Sequence, residues 1–428
     1  MNKEIIKCRR TDDSCVHVKH KSGLDIYICK MEGFSTIEAL FGTKYGSINT
    51  MFKTSEDKEY TTVPEGIAHF LEHKLFENED CDVFELYAKT GASANAFTSF
   101  DKTCYIFSCS KNYAESLKIL LDFVQKPYFT KESVDKEQGI IGQEIRMCDD
   151  NPEWRVFFNL LGCLYENHPV KIDIAGTVES IAKIDADLLY KCYNTFYNLN
   201  NMVLSIAGNI DVDEVLKICD ECLVPCENKG LETVFKEEPD KLVSSYHVEN
   251  QPVGKPLFNI GYKCTSGTLA ENNRASSELY IAAGVLLDSS SPLYRKLLSD
   301  GLINADFGFE CFYGDGYSTL IISGESSEPE KVRDAVSEAF ENAKANGINK
   351  EDFERVKKSA YGSMIRELNN VEAVANLMIN SSMEGVGPYD AIEILSDMTV
   401  EDAVSRLQKD IRADRMALSV VREQVTDK

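Results

Sequence analysis

The hydrophobic and polar positions of this chain change their period several times along its length. Residues 14–52 are rich in β-branched and aromatic types and are punctuated by glycines, which predicts a meander of strands. Residues 64–77 then take a helical period, and two apolar segments, ASANAFTSF and KTCYIFSCS, follow as a predicted strand pair. The further predicted elements are a helix at 114–125, a helix at 131–148, a helix at 152–165, a strand at 202–209 and a helix from Val212.

A charged segment separates this order from a second one. The segment ENKGLETVFKEEPDK, residues 227–241, is broken by Gly230 and Pro239 and has almost no apolar periodicity, so it is the best candidate linker. The repeated order of elements predicts an α+β fold of two similar domains, 1–226 and 242–428, each with a mainly antiparallel sheet covered by helices. In the second domain, strands are predicted at 257–264, 305–313 and 318–324, and helices at 276–286, at 292–298 and from Pro329.

Length and charge narrow the class of protein. A chain of 428 residues is too long for one compact core, which agrees with two domains. The opening MNKEIIKCRRTDDSC is too polar for a signal peptide, and no apolar run is long enough to cross a membrane. We therefore expect a cytoplasmic protein with no membrane partner. The net charge of −24 speaks against a nucleic-acid partner, whose phosphates it would repel.

The cysteines are expected to be packing residues. Fourteen of them lie along the chain without a regular spacing, which is typical of a reducing compartment. Cys219, Cys222 and Cys226 include a C-x-x-C spacing in a predicted amphipathic helix that runs into a loop. No second pair or nearby histidine completes a metal site there, so core packing is the better interpretation.

The predicted helix 64–77 contains an H-x-x-E-H run formed by His69, Glu72 and His73. On a helix, positions i and i+4 lie above one another on one face, so both imidazoles can reach one metal ion with Glu72 beside them. This order is the inverse of H-E-x-x-H and matches the inverzincin signature of zinc hydrolases. The chain has only six histidines, which makes this spacing a rare chance event. The alternative is a partly buried pair of histidines satisfied by neighbouring carbonyls.

A zinc site with three protein ligands needs one more His, Asp or Glu and keeps its fourth position for water. The predicted helix 131–148 offers Glu137 and Glu144, which lie two turns apart and therefore share a face. Ile140 and Ile141 are predicted to lie on or near that face as packing residues. Because glutamates on helices are usually solvated, this pair by itself leaves both interpretations open.

Five segments of the chain follow one another in a fixed order: GIAHFLEHKLFE (66–77), GASANAFTSFDKTCYIFS (91–108), EQGIIGQEIRMCDDNPEWR (137–155), HPVKIDIAGTVESIAKI (168–184) and CYNTFYNLNNMVLSIAGNID (192–211). In sequence and in order they resemble the successive blocks of the insulinase/pitrilysin superfamily of zinc peptidases. The resemblance covers nearly the whole chain and is nearest to the half-size bacterial members. Five ordered blocks are far more specific than one motif.

The resemblance implies a role for each residue of the two helices. His69, His73 and Glu144 would bind Zn²⁺, with Glu144 in the position of the superfamily's distal glutamate. Glu72 would be the general base of a zinc metallopeptidase. Glu137, on the same helix as Glu144, would be a further catalytic acid that orients one of the ligands.

The resemblance also implies how a substrate binds. An extended peptide would add by main-chain hydrogen bonds to the edge strand that contains Asn95, Ala96, Phe97 and Thr98. Superfamily members commonly enclose peptides or small unfolded polypeptides between two clam-like halves, so a clam-like assembly is expected. The first domain would be the zinc-binding catalytic domain, and the second a metal-free domain of the same fold.

One stretch departs from the superfamily pattern. Catalytic members present an Arg and, several residues on, a Tyr from the second domain, and these hold the substrate carbonyl and its developing oxyanion. In LYRKLLSDGLINADF, residues 293–307, the Arg position falls on Leu297 or Leu298 and the Tyr position on Asn304. Arg295 is nearby but out of register. The expectation is therefore a zinc endopeptidase chain that takes this clamp from a second, homologous half-size chain in a heterodimer.

Two other functions stay open. The first is a self-sufficient homodimeric or monomeric peptidase that uses other side chains in the clamp, such as Arg295, Tyr313 or Tyr317. The second is a non-catalytic scaffold subunit of the same fold, like the core proteins of a respiratory complex. The motif argues against the scaffold, because a purely structural helix has no need of Glu72 beside two histidines.

Overall fold

The computed structural model describes residues 3–79 and 82–423, which form two compact units of three segments each. Unit 1 contains the chain up to Ile145, Asp173–Val234 and Ile365–Tyr389. Unit 2 contains Arg146–Ile172, Phe235–Met364 and the chain from Asp390. The domain limits 1–226 and 242–428 stay a prediction, because compactness does not show which part of the chain folds on its own.

Strands and helices alternate through both units. The strands are β1 Lys3–Lys7, β2 Ser14–Lys19, β3 Asp25–Lys30, β4 Ile37–Thr43, β5 Met51–Lys53, β6 Thr61–Thr62, β7 Ser93–Thr98, β8 Thr103–Cys109, β9 Met202–Gly208, β10 Glu232–Thr233, β11 Tyr246–Asn250, β12 Leu257–Lys263, β13 Gly308–Gly314, β14 Tyr317–Glu325 and β15 Met416–Arg422. The helices are α1 Ile67–Leu75, α2 Val83–Thr90, α3 Tyr113–Val124, α4 Lys131–Asp149, α5 Pro152–Leu164, α6 Val178–Ile181, α7 Ala186–Phe196, α8 Val212–Cys222, α9 Leu269–Leu287, α10 Pro292–Ser299, α11 Pro329–Asn346, α12 Lys350–Glu367, α13 Val371–Glu384, α14 Asp390–Asp397 and α15 Val400–Asp410.

Unit 1 is built on a seven-stranded sheet in the order β1-β2-β3-β9-β4-β8-β7. Only β3 and β9 are parallel neighbours. The central strands β4 and β9 are buried at every residue. The sequence of β9 is almost entirely apolar, whereas β4 also buries Glu38 and Thr43. Helix α13, from a distant part of the chain, packs on these strands: Ser205 Oγ donates to the carbonyl oxygen of Ala375 at 2.8 Å. Gly42 allows this approach, since a Cβ there would lie 2.8 Å from the side chain of Ile379.

Unit 2 is built on a five-stranded sheet in the order β11-β15-β12-β14-β13. Here too one pair, β11 and β15, is parallel, and the other neighbours are antiparallel. Helix α5 packs on β12 and β15. A glycine again allows the close approach, because a Cβ at Gly261 would lie 2.8 Å from Leu160. The covering helix of each sheet therefore comes from a segment far from most of its own unit in sequence.

The predicted fold class is confirmed: two similar, mainly antiparallel sheets carry helices in an α+β arrangement. Helix α1 begins later than the predicted residue 64, because Gly66 takes a φ of +87° and a Cβ there would lie 2.3 Å from the carbonyl oxygen of Ala175. Helix α9 begins well before the predicted 276, at a capping box between Thr268 and Glu271. Among the described helices, none is long and apolar enough to cross a membrane.

Candidate metal centre

Helix α1 presents its two histidines on one face. His69 and His73 lie with their ring centroids 4.6 Å apart, and His69 is only 8 % exposed. The opposite side of α1 is fixed in the core of unit 1 by buried apolar residues, which are Ile67, Ala68, Phe70, Leu71 and Leu75. Burial of those residues sets the rotation of the helix, and this rotation determines where the imidazoles point.

Helix α4 brings a carboxylate to both rings. Glu144 Oε1 lies 3.6 Å from His69 Nε2, and Glu144 Oε2 lies 3.5 Å from His73 Nε2. The donor atoms of the three side chains all lie within 4.8 Å of one another. Among the described residues, this is the one group of three His, Cys, Asp or Glu side chains close enough to share a metal ion.

The rotation of α4 is set by contacts with unit 1. Ile141 and Ile145 are buried in its core, and Gln138 Nε2 donates to the carbonyl oxygen of Ile184 at 2.9 Å. Of the two isoleucines predicted to pack beside the glutamates, Ile141 does so, whereas Ile140 is 46 % exposed. The prediction for Ile140 was wrong, because neighbouring helix positions point about 100° apart and only Ile141 is directed into the core.

Glu137 contacts His73 at the ring nitrogen that does not face Glu144. Glu137 Oε1 lies 2.9 Å from His73 Nδ1, so the carboxylate accepts a hydrogen bond from the N–H at Nδ1, and Nε2 is left free to bind a metal. This hydrogen bond is the main reason why the pKa of Glu137 is lowered. Burial lowers the pKa of His73, but the hydrogen bond with Glu137 and the nearby carboxylates outweigh it, so the net pKa is raised.

His69 is held as a neutral ring. Burial is the main cause, with repulsion by His73, and together they lower the pKa of His69 to about 3. Its buried Nδ1 has no hydrogen-bond partner among the described residues. A neutral imidazole with its Nε2 directed at a carboxylate is a competent ligand for a divalent cation.

Glu72 lies beside the cluster, on the same helix as the two histidines. Thr98 Oγ1 donates a hydrogen bond of 2.9 Å to Glu72 Oε2, which fixes the orientation of the carboxylate. Burial raises the pKa of Glu72, and the hydrogen bond from Thr98 lowers it in part. A raised pKa brings a glutamate closer to the range in which it can both accept and return a proton near neutral pH.

The predicted substrate strand is β7, which pairs with β8 and is the last strand of its sheet. Asn95 is exposed, while Ala96, Phe97 and Thr98 are half-buried. Two side chains of this strand form hydrogen bonds: Asn95 Oδ1 accepts from the backbone N–H of Ala96 at 2.9 Å, and Thr98 Oγ1 donates to Glu72. The role of Thr98 towards Glu72 was missed in the sequence, since nothing in its pattern pairs an edge strand with one helix residue.

A buried lysine was also missed. Lys74 is 0 % exposed, its ammonium group bonds to Glu77, and its charge contributes to the lowered pKa of Glu137. The sequence gives one signal of this burial, which is recognised only once the structure is known: Lys74 stands at a helix position whose neighbours are apolar.

The residues discussed for the clamp all lie in unit 2. Leu297 is buried, and Leu298 is 45 % exposed. Asn304 Nδ2 donates to Glu325 at 2.8 Å and to Asp306 at 3.1 Å. The alternative clamp residues differ among themselves: Arg295 is exposed, Tyr317 is buried, and the hydroxyl of Tyr313 accepts from Asn273 Nδ2 at 3.1 Å.

The C-x-x-C cluster has no ligand geometry. Cys219 is buried in the core of unit 1, whereas Cys222 is half-buried and Cys226 is exposed. The thiol of Cys226 donates to Asn198 Oδ1 at 3.3 Å. These environments agree with packing and loop contacts.

Comparison with known proteins identifies the family. The family model "Insulinase (Peptidase family M16)" matches residues 57–178, which include α1 and α4, and the model "Peptidase M16 inactive domain" matches residues 183–360. The protein named uncharacterized zinc protease YmfH, from Bacillus subtilis (strain 168), is 38 % identical over 425 residues, covering 97 % of this chain and 98 % of that protein. The chain belongs to peptidase family M16.

Other M16 proteins agree in sequence and fold. The uncharacterized zinc protease YmxG, also from Bacillus subtilis (strain 168), is 27 % identical over 320 residues, covering 72 % of this chain and 76 % of that protein. The crystal structure of a protein described as an M16-like peptidase, from Alicyclobacillus acidocaldarius, has a TM-score of 0.92 and 33 % identity, and 99 % of each chain is covered. The M16 likeness therefore extends over both units.

Proposed function

We propose that this chain is the zinc-bearing subunit of an M16 endopeptidase that hydrolyses peptides or small unfolded polypeptides. The observation that carries the proposal is the cluster of His69, His73 and Glu144 with Glu72 held beside it by Thr98. Two relatives named zinc proteases support the metal and the reaction class.

The donor set fits zinc. Two imidazoles and one carboxylate are a common ligand set of catalytic zinc, and they leave a coordination position open. The neutral state of the His69 ring, and its Nε2 atom 3.6 Å from Glu144, fit a metal ligand better than a histidine satisfied by carbonyls. When bound, zinc would supply Lewis acidity toward a scissile carbonyl and would make a water molecule easier to deprotonate.

The protein side chains would position and move protons. Glu72 would take the proton of the attacking water and return it to the nitrogen of the leaving amine. Thr98 would keep the carboxylate of Glu72 in one orientation during this transfer. Glu137 would hold the Nδ1 proton of His73 and so fix the tautomer of that ligand.

The substrate would bind as an added strand on β7, where Asn95 to Thr98 lie. Main-chain hydrogen bonds along an edge strand give affinity without a strong sequence preference, which suits a peptidase of broad specificity. The strand leads directly to Thr98 and thus to Glu72, so an added peptide would pass next to the base.

The two-chain form is part of the proposal because this chain has leucine and asparagine at the positions of the clamp Arg and Tyr. Leu297 is buried, and the amide of Asn304 donates to two carboxylates of its own unit. Leu297 has no hydrogen-bond donor, and the Asn304 amide already donates to these two carboxylates, so neither replaces the Arg or the Tyr. A homologous chain with the Arg and Tyr would complete the site. The exposed Arg295 keeps a homodimer as the second candidate.

A location in the cytoplasm belongs to the same proposal. All the cysteines that the structure describes are free thiols, including buried ones such as Cys104 and Cys192. Free thiols in this number fit a reducing compartment. A fractionation experiment with an antibody to the chain tests this directly, and recovery of the protein outside the cytoplasm would contradict it.

The decisive experiment compares wild type with Glu72→Gln, alone and mixed with a homologous half-size chain that has the Arg and Tyr. Glu72→Gln should keep stoichiometric zinc and the wild-type melting temperature, yet lose peptide hydrolysis by roughly 10²-fold or more, since a general base is removed. The wild-type chain alone should be slow, because each missing oxyanion donor typically costs about 10² to 10³ in rate. Equal activity of wild type and Glu72→Gln would exclude this chain as the hydrolytic subunit. Full activity without a partner would favour the homodimer.

A further inference from the structure

Unit 2 contains a cavity at the place that corresponds to the metal cluster of unit 1. In unit 1 the cluster lies where the helix after the central strand, the edge strand β7 and the long helix α4 meet. The corresponding elements of unit 2, in chain order, are α9, the edge strand β13 and α12. Between them lies a cavity of about 810 Å³, which is within the usual size range of small-molecule sites.

The lining of this cavity is apolar with hydroxyl groups. Phe309 of β13 and Tyr280 of α9 form one wall, with their ring centroids 5.2 Å apart. Val356 and Met364 of α12 lie among the other lining residues. Serine hydroxyls from both helices interrupt the apolar surface; they belong to Ser276, Ser277, Ser359 and Ser363.

Ser276 points to a ligand that forms hydrogen bonds. Its side chain is 7 % exposed and lines the cavity, and its Oγ has no hydrogen-bond partner among the described residues. A buried hydroxyl without a partner costs folding free energy, so native structures rarely keep one without a reason. A bound group with an N–H or O–H would satisfy it.

Charge narrows the class of ligand. Of the described residues that line the cavity, none is Lys, Arg or His, and the charged ones are Asp288 and Glu310. An anionic ligand would find no compensating cation among the described lining residues.

We propose that this cavity is a binding site for a neutral, largely aromatic or aliphatic small molecule that carries a hydrogen-bond donor directed at Ser276. This site is distinct from the metal cluster and needs no peptide hydrolysis. It would make unit 2, which has no metal ligands in the corresponding place, a ligand-sensing unit.

Two fluorescent dyes test the charge preference on the full-length chain. N-phenyl-naphthylamine is neutral, has two ring systems and carries one N–H, and anilinonaphthalene sulfonate has the same rings with an added sulfonate. We expect the neutral dye to bind one per chain with enhanced fluorescence, and the sulfonate to bind at least about tenfold more weakly, since about 1.4 kcal/mol of repulsion suffices for this ratio.

Matched variants locate the site. Ser359 is exposed and lines the cavity, so Ser359→Trp should fill the space and abolish binding of the neutral dye without disturbing the core. Lys358→Trp places the same ring one position earlier on α12, at an exposed residue outside the lining, and should leave binding unchanged. Ser276→Ala should weaken binding about two- to tenfold while it raises the melting temperature of the ligand-free protein, because an unsatisfied hydroxyl is removed.

Three results would overturn the proposal. Equal binding of both dyes would indicate a nonspecific apolar surface. Equal loss of binding in Ser359→Trp and Lys358→Trp, or in neither, would place the dye elsewhere. Displacement of the dye by an apolar peptide, with peptide binding lost in Ser359→Trp, would show that the cavity docks peptides and not small molecules. Ser276→Ala, which is not expected to disturb the fold, keeps the test valid if Ser359→Trp does not fold.

Discussion

The two units share one sheet topology and differ in what lies at one corner of it. In unit 1 the strands β3-β9-β4-β8-β7 have the same order and directions as β11-β15-β12-β14-β13 in unit 2. At the corner formed by the edge strand and two helices, unit 1 holds five ionisable groups and a threonine, whereas unit 2 holds mainly apolar rings and serines. The same backbone thus supports two kinds of site, and the side chains alone decide which.

The two sites also differ in how their buried polar atoms are hydrogen-bonded. In unit 1, Glu137 accepts a hydrogen bond from His73, and Thr98 donates one to Glu72. Among the described residues, His69 Nδ1 has no partner, and it is the ring nitrogen that does not face Glu144. In unit 2 the comparable atom is Ser276 Oγ, next to an open cavity. In both units, therefore, a buried polar atom without a described partner belongs to a residue of the candidate site.

The largest effect is expected when a ligand of the unit 1 cluster is removed. His73→Ala should bring the zinc content close to zero and lower peptide hydrolysis by at least about 10²-fold, since one of three protein ligands is lost. The matched control is His247→Ala, at an exposed position on β11 of unit 2. Elemental analysis and a peptide assay measure both. If both variants kept the same zinc content, the cluster in unit 1 would not be the metal site.

A smaller effect on zinc binding is expected when Glu137, the hydrogen-bond partner of His73, is replaced. Glu137→Ala removes the partner of His73 Nδ1 and should weaken zinc binding about 10- to 100-fold, as loss of such a partner typically does. Glu132→Ala, at an exposed position of the first turn of α4, is the control and should bind zinc like wild type. Competition with a chromophoric chelator gives both affinities. An unchanged zinc affinity in Glu137→Ala would show that Glu137 does not support metal binding by His73.

The Thr98 hydroxyl that donates to Glu72 should affect turnover and not substrate binding. Thr98→Val keeps the shape of the side chain but removes the donor, so kcat should fall about tenfold, with KM and zinc content near wild type. Thr98→Ser retains the hydroxyl and should recover most of the loss. A rise in KM with unchanged kcat in Thr98→Val would instead mean that Thr98 contacts the substrate.

The smallest expected effect concerns the helices that cover the two sheets. In unit 1, burial, with Glu372 of α13 nearby, raises the pKa of Glu38 from 4.5 to about 7. In unit 2, Arg155 of α5 lies 3.1 Å from Glu249, and the pKa of Glu249 is lowered because this pairing outweighs burial. The folded state then binds the extra proton on Glu38, so the contribution of Glu38 to stability falls as the pH rises from 4.5 to about 7.

Glu38→Gln should therefore be more stable than wild type at pH 8, by about 1 to 3 kcal/mol, and equally stable at pH 4. Glu249→Gln should behave in the opposite way: it should be less stable than wild type near neutral pH, and the difference should shrink as acid protonates the carboxyl of the wild type. Chemical unfolding at the two pH values measures both variants. The contrast between the units would fail if Glu38→Gln were destabilising at pH 8.

Much of the fold could be predicted because it depends on local patterns. The apolar run of β9 predicted a buried strand, and β9 is buried at every residue. The helical period and spacing of His69 and His73 placed both rings on one face, because the pitch of a helix is fixed. The broken, charged segment 227–241 separated two similar orders of elements, and two similar sheets were found.

The remaining features depend on contacts between residues far apart in sequence. That Glu144 lies within 3.6 Å of both imidazoles depends on Ile141, Ile145 and Gln138 fixing the rotation of α4, and no local pattern encodes that. That Thr98 holds Glu72 depends on where α1 packs against β7. The cavity lined by Ser276 exists only because α9, α12 and β13 fail to fill the space between them. The sequence by itself thus determined the elements and the donor groups, whereas the tertiary packing decided which groups meet, because side-chain distances are set by how helices rotate against a sheet.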